Sequence, residues 1–116
     1  MRATLRGATL RGADLHEANL IEADLSRANL REANLTEAIL YRANLREANL
    51  TEAILRGANL AETNLSDTDL TGAYVSQIDL LSTVFGNTNL TAVQGIETCD
   101  HGGGMFGVHV KTGHKS

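Results

Sequence analysis

Residues 28–50 read ANLREANLTEAILYRANLREANL. Leucine returns at 30, 35, 40, 45 and 50, alanine stands two places before each, and a residue that is usually Asn lies between them. Working outward, the leucine period runs without a miss from Leu5 to Leu70, and the alanine from Ala3 to Ala58. It then loosens but keeps step through Val75, Leu80, Phe85 and Leu90, so that eighteen units precede Gly95. With the leucine position called i, each unit is Ala(i−2), Asn or Asp(i−1), Leu(i), followed by a variable pair at i+1 and i+2.

A fixed period demands a structural account before anything else. On an α-helix a step of five turns the chain by about 140°, so the leucines would spiral over every side. On a straight strand five is odd, and successive leucines would face opposite ways. One shared interior therefore requires the chain to bend in every unit. Three extended residues send i−2 and i inward and i−1 outward, and i+1 and i+2 turn a corner. If each corner is near a right angle, four units close one square coil. Coils stacked at strand spacing, about 4.8 Å, let their backbone groups pair with one another.

The tandem Ala-(Asp/Asn)-Leu-x-x unit over residues 3–94 resembles the pentapeptide repeat proteins. That resemblance implies an all-β fold, a right-handed quadrilateral β-helix of about 4.5 coils. Handedness and the choice of four sides over three come from the resemblance, not from the period. The expected organisation is a β-helix over residues 1–94, followed by a cap and flexible tail over 95–116.

At 116 residues the chain is one domain. A solenoid needs no thick core, because each coil buries its apolar face on its neighbours. Proline is absent, as suits a chain whose N–H groups serve a ladder. The single cysteine, Cys99, excludes an intrachain disulfide. There is no long apolar run to span a membrane. The repeat is entered by Ala3, so the expectation is no leader sequence and a cytoplasmic location. A net charge of −4 argues against direct nucleic-acid binding and supports mimicry of nucleic acid only weakly.

The interior is expected to stack Leu15, Leu20, Leu25, Leu30, Leu35, Leu40, Leu45 and Leu50 beside Ala18, Ala23, Ala28 and Ala33. Four leucines per coil fill it and leave no room for a substrate or cofactor. Residues 31–45 and 46–60 are near copies that differ only at Tyr41/Arg56 and Arg42/Gly57. Their shift of three units moves an identical outward pattern a quarter-turn round the coil, which argues against a finely specified face there.

With four units per coil, Glu22, Arg42 and Glu62 form a ladder of alternating charge. Arg11 and Arg31, and likewise Glu32 and Glu52, are like-charged neighbours on one side with both signs present. Asn44 over Asn64, and Asn29 over Asn49, are expected to hydrogen-bond along the axis, as stacked amides do in cross-β assemblies. His16 stands outside without a ligand set. From residue 63 onward Thr63, Thr68, Thr83 and Thr88 replace alanine, Ile78 and Val93 are larger still, and a wider final coil is expected. Gly102 to Gly104 read as flexible, while Ile96, Met105, Phe106, Val108 and Val110 are candidates to cover the last coil.

Residues that carry chemistry are scarce. Cys99, His101, His109 and His114 match no compact zinc spacing, and no nucleophile set, paired buried carboxylates or phosphate loop is visible. No enzyme activity, metal or cofactor is expected. The favoured function is a non-catalytic scaffold that binds an unidentified protein. The alternative, implied by the resemblance, is a DNA mimic that inhibits or protects DNA gyrase. It is disfavoured because eight arginines among thirteen acidic residues over 1–98 interrupt every face. The outward sites are otherwise polar, but Ile21, Ile39, Tyr41, Ile54, Tyr74 and Leu81 suggest an apolar stripe along one corner. Such a stripe would serve a protein partner or weak self-association.

Overall fold

The structure is a computed structural model that describes residues 4–95 and 110–111. The chain winds as a square coil, and the register is read directly from its ladder. Thr4 pairs in parallel with Asp24, Asn44 with Asn64, Tyr74 with Gln94, and every i−1 residue between them with its counterpart four units on. Four units therefore make one coil. Side 1 carries Leu5, Leu25, Leu45, Leu65 and Phe85. Side 2 carries Leu10 to Leu90, side 3 Leu15 to Val75, and side 4 Leu20 to Leu80, each taking every fourth unit.

The stretch from Asn44 to Ala48 shows why the repeat is self-sufficient. Asn44 N–H donates to the Ala23 carbonyl of the coil before, while Leu45 N–H and Glu47 N–H donate to Asn64 and Ser66 of the coil after. Ala48 N–H closes a turn onto the Leu45 carbonyl at 3.0 Å, and Arg46 N–H donates to Asn44 Oδ1 at 3.0 Å. Every amide of the unit is satisfied, as buried backbone demands.

The corner has a cost. Position i+2 holds a left-handed backbone throughout: the non-glycine residues from Glu17 to Ala92 lie at φ 54–63°. With the i→i+3 turn bond and φ > 0 at the third residue only, this is a type II turn. A non-glycine residue there costs about 1–2 kcal/mol. The coil tolerates it because the i+2 amide is pinned to the next coil, as by Glu37 N–H to the Arg56 carbonyl at 2.8 Å.

The Asn residues do not ladder along the axis as expected. Their Oδ1 atoms turn back onto their own chain and accept the amide two residues on, at 3.1 Å for Asn29, 3.0 Å for Asn44 and 2.9 Å for Asn64. The corner amide at i+1 has no backbone acceptor within reach, and the short Asx side chain supplies one. This, rather than stacking, is why Asn or Asp recurs at i−1.

The interior is a continuous column of leucine and alanine. Leu20, Leu25, Leu30, Leu35, Leu40, Leu45 and Leu50 are buried, with Ala23, Ala28 and Ala33 beside them. Leu15 and Ala18 are only partly buried, because they belong to the first coil and pack against one described neighbour coil only. The threonines at i−2 are fully accommodated. Thr63, Thr68, Thr83 and Thr88 each donate at 2.6 Å to a leucine carbonyl of the preceding coil. Each of those carbonyls also accepts the turn amide, so both its lone pairs are used. A void of about 10 Å³ among Leu55, Val75, Ile78 and Phe85 is apolar and at the lower limit for one water.

At the far end, β1 (Thr88–Asn89) pairs in parallel with β2 (Val110–Lys111), Thr88 against Val110. The coil register would set Thr88 against position 108, so β2 continues the side-2 ladder out of step with the repeat. The expectations for Ile96, Cys99, His101, the glycines at 102–104, Met105, Phe106, Val108, His109 and His114 fall outside the described residues, as do those for the side chain of Val110.

Candidate interaction surface

The outward surface is built at the corners, where i+1 and i+2 project. Its charges neutralise one another in a regular way. Arg27 Nε meets Glu47 Oε1 at 3.0 Å and Arg42 Nε meets Glu62 Oε1 at 2.9 Å, each directly alongside in the next coil. Arg11 reaches Glu32, Arg31 reaches Glu52 and Arg46 reaches Asp67, each one place further along that coil. Stacking thus offers an arginine two partners in the next coil, one straight across and one on the diagonal. The like-charged stacks Arg11/Arg31 and Glu32/Glu52 are compensated on the diagonal. Arg42 pairs with Glu62, and that hydrogen bond is the main cause of its raised pKa. The bond from Arg27 likewise lowers the Glu47 carboxyl. The Glu47 contribution is therefore present above the ordinary carboxylate range and is lost as pH falls through its lowered value. All these side chains are solvent-exposed, so the pairs add little stability.

Tyr41 is half-buried rather than free. The Arg42 guanidinium lies over its ring at 5.1 Å, and its hydroxyl reaches Glu62 Oε2 at 3.4 Å. Along the corner after side 4, Ile21, Tyr41, Ala61 and Leu81 form one row. Ala61 is only 6% exposed, since its methyl group sits between two longer neighbours in the row. Ile39 lies on side 4 itself, whereas Ile54 and Tyr74 are ladder partners on side 3. Asn59 and Asp79 on side 4, and the corner residues Arg56, Gly57, Ser76 and Gln77, intervene between Ile54/Tyr74 and the row. The six apolar residues accordingly form two groups, not one stripe.

His16 is not alone. Its Nδ1 lies 3.9 Å from Glu17 Oε1 and its Nε2 3.9 Å from Glu37 Oε1, all three exposed. The stack of Glu37 over Glu17, one coil apart, is the signal in the sequence that points to this cluster. Both contacts are long, and the three side chains are open to solvent.

On side 3 a shallow groove is lined by Ile54, Arg56, Tyr74, Ser76 and Gln77. Ile54 and Tyr74 stand where Asn normally caps the corner, and they project outward, Tyr74 being 46% exposed. Among the described residues, the corner amides of Arg56 and Ser76 make no hydrogen bond and the Arg56 guanidinium meets no carboxylate. The positions straight across and diagonal to it in the next coil are Ser76 and Gln77, neither of them acidic.

Family comparison agrees with this geometry. The model for pentapeptide repeats matches residues 1–37, 28–67 and 38–77. The chain belongs to the pentapeptide repeat family. A pentapeptide repeat protein from the thylakoid lumen of Arabidopsis thaliana superposes with a TM-score of 0.77 at 30% identity, covering 78% of this chain and 63% of that one. HetL, a pentapeptide repeat protein involved in heterocyst differentiation regulation in the cyanobacterium Nostoc sp. strain PCC 7120, gives 0.52 at 28% identity, covering 96% and 60%. QnrB1, a plasmid-mediated fluoroquinolone resistance protein, aligns at 14% identity, covering 93% and 67%, with a TM-score of 0.31 that carries no argument about function. The chain spans about three fifths of the length of the first two. No curated protein matches the sequence. With its pentapeptide repeat relatives, the coil is a right-handed quadrilateral β-helix.

Within the pentapeptide repeat, an apolar residue at i−1 forfeits a corner hydrogen bond. Ile54→Asn is expected to restore one to Arg56 N–H and to raise the unfolding free energy by about 0.5–1.5 kcal/mol in denaturant titration. No gain would mean that the Asx bond is not what selects Asn at i−1.

Proposed function

We propose that this pentapeptide repeat protein is a non-catalytic scaffold that binds a protein partner on its outer sides. One observation carries the reading: the interior column is filled by leucine, alanine and hydrogen-bonded threonine, so all recognition falls to the outward side chains. Five of the seven described arginines are taken up in coil-to-coil pairs, and the exposed apolar residues offer the surface that a protein partner would recognise. The relatives' roles are their own, and this reading names no partner from them. No described helix is long and apolar enough to cross a membrane, and a cytoplasmic partner fits the reading. The division into a repeat body over 1–94 and a closing tail belongs to the same proposal. Arginine–carboxylate pairs at the corners after sides 1, 2 and 4, and Arg56 at the corner after side 3, interrupt any continuous acidic surface that could imitate a duplex, and micromolar protein is expected not to inhibit gyrase supercoiling.

The test is crosslinking and retention from the source cell, comparing wild type with the row variant Tyr41→Glu/Leu81→Glu and the groove variant Tyr74→Ser. Loss of a specific partner with one variant supports a scaffold and says which group it uses. Retention of nothing by wild type, together with a monomer in sedimentation at all concentrations, contradicts it.

A further inference from the structure

Side 3 differs from the others in the chemistry it leaves unsatisfied. The arginines of the described corners find a carboxylate one coil on, except Arg6, at the start of the coil, and Arg56. Arg56 alone of these two stands beside exposed apolar groups. Ile54 and Tyr74 are stacked ladder partners 37% and 46% exposed, and with Arg56, Ser76 and Gln77 they line one groove. The same two substitutions that supply the apolar walls remove the Asx caps, which leaves the Arg56 and Ser76 amides as donors without partners among the described residues. The groove therefore combines an aliphatic and aromatic wall, a cationic planar fork and two N–H groups. It offers donors and positive charge, and no carboxylate.

We propose that this groove binds an extended acidic peptide segment of a protein partner, with a carboxylate on Arg56 and a neighbouring apolar side chain between Ile54 and Tyr74. This rests on the scaffold reading and names the site and the chemistry of what it takes. Charge complementarity selects the occupant. A basic segment meets an uncompensated guanidinium, and a purely apolar one leaves the guanidinium and both amides without a partner. A carboxylate takes the Arg fork in a charge-assisted, bidentate geometry. The corner is a rigid platform for this, because Gly57 N–H and the Ser76 carbonyl are joined at 3.0 Å across the coils.

The experiment uses fluorescein-labelled Leu-Asp-Ile-Asp-Phe-Gly, with Leu-Asn-Ile-Asn-Phe-Gly as its uncharged twin, read by anisotropy and by amide shift mapping on the whole chain. Binding with Kd near about 0.1 mM is expected, as suits so small a contact. The shifts should cluster at Ile54, Arg56, Tyr74 and Ser76. The Asn twin and Arg56→Ala should each weaken binding by roughly tenfold or more, with Arg56→Lys intermediate. Arg56 is exposed, so a melting curve unchanged by Arg56→Ala is the folding control. No saturable signal up to about 2 mM overturns the proposal, since it then lies beyond a useful affinity. Equal binding of the Asn twin, or shifts centred on Tyr41 and Leu81, also overturns it. A cellular partner retained equally by wild type and Arg56→Ala overturns the groove while leaving the scaffold reading intact.

Discussion

Replacing Leu45 with alanine is expected to lower the unfolding free energy by about 2–5 kcal/mol. Leu45 is completely buried at the centre of side 1, between Leu25 and Leu65. Its removal opens a cavity that a column fixed on four sides cannot collapse to fill. The neighbouring Asn44→Ser is expected to cost far less, because that side chain lies outside and a serine hydroxyl can still accept the Arg46 amide. Chemical denaturation of the two variants measures the contrast. Equal losses at 44 and 45 would contradict the assignment of inside and outside.

Glu37→Pro is expected to cost about 3 kcal/mol or more. Glu37 sits at φ 58°, a value proline's ring forbids, and its N–H is spent on the Arg56 carbonyl at 2.8 Å. Proline removes that bond and cannot take up the corner. Glu37→Gly at the same position is expected to stay within about 1 kcal/mol of wild type. Glycine relieves the left-handed strain but loses more freedom on folding, and the two nearly cancel. A tolerated proline would show that the corner is not held as described.

Much of this is legible in the repeat itself. An odd period with Leu at i and Ala at i−2 already separates the buried from the exposed residues. The structure keeps that separation from Leu20 to Leu90. The role of Asn is not legible in the same way, because composition does not tell a side chain that bonds its neighbour coil from one that folds back on its own corner. Asn29, Asn44 and Asn64 all do the latter. The threonines look like larger alanines in the sequence, but Thr63 and its counterparts use a free carbonyl lone pair of the coil before. On the outside, grouping by side gives the correct register but an incomplete set of partners. Charge pairing also runs along the diagonal, as in Arg31 with Glu52. Grouping Ile54 and Tyr74 with the Tyr41 row ignores the width of a side plus a corner. The groove becomes visible only when the missing partners of Arg56 are set against the pairs made by the other arginines.

Every assignment of residues to a shared surface depends on four units per coil, and disulfide trapping tests that directly. In a Cys99→Ser background, Asn44→Cys/Asn64→Cys places two thiols on ladder partners of side 1, whereas Asn44→Cys/Asn59→Cys places them on different sides. Adjacent strands lie about 4.8 Å apart, within the Cα range of about 4.4–6.8 Å that a disulfide needs. The 44/64 pair is expected to oxidise rapidly and quantitatively under mild conditions, and the 44/59 pair to remain reduced. Preferential closure of 44/59 would indicate three units per coil and contradict the four-sided account.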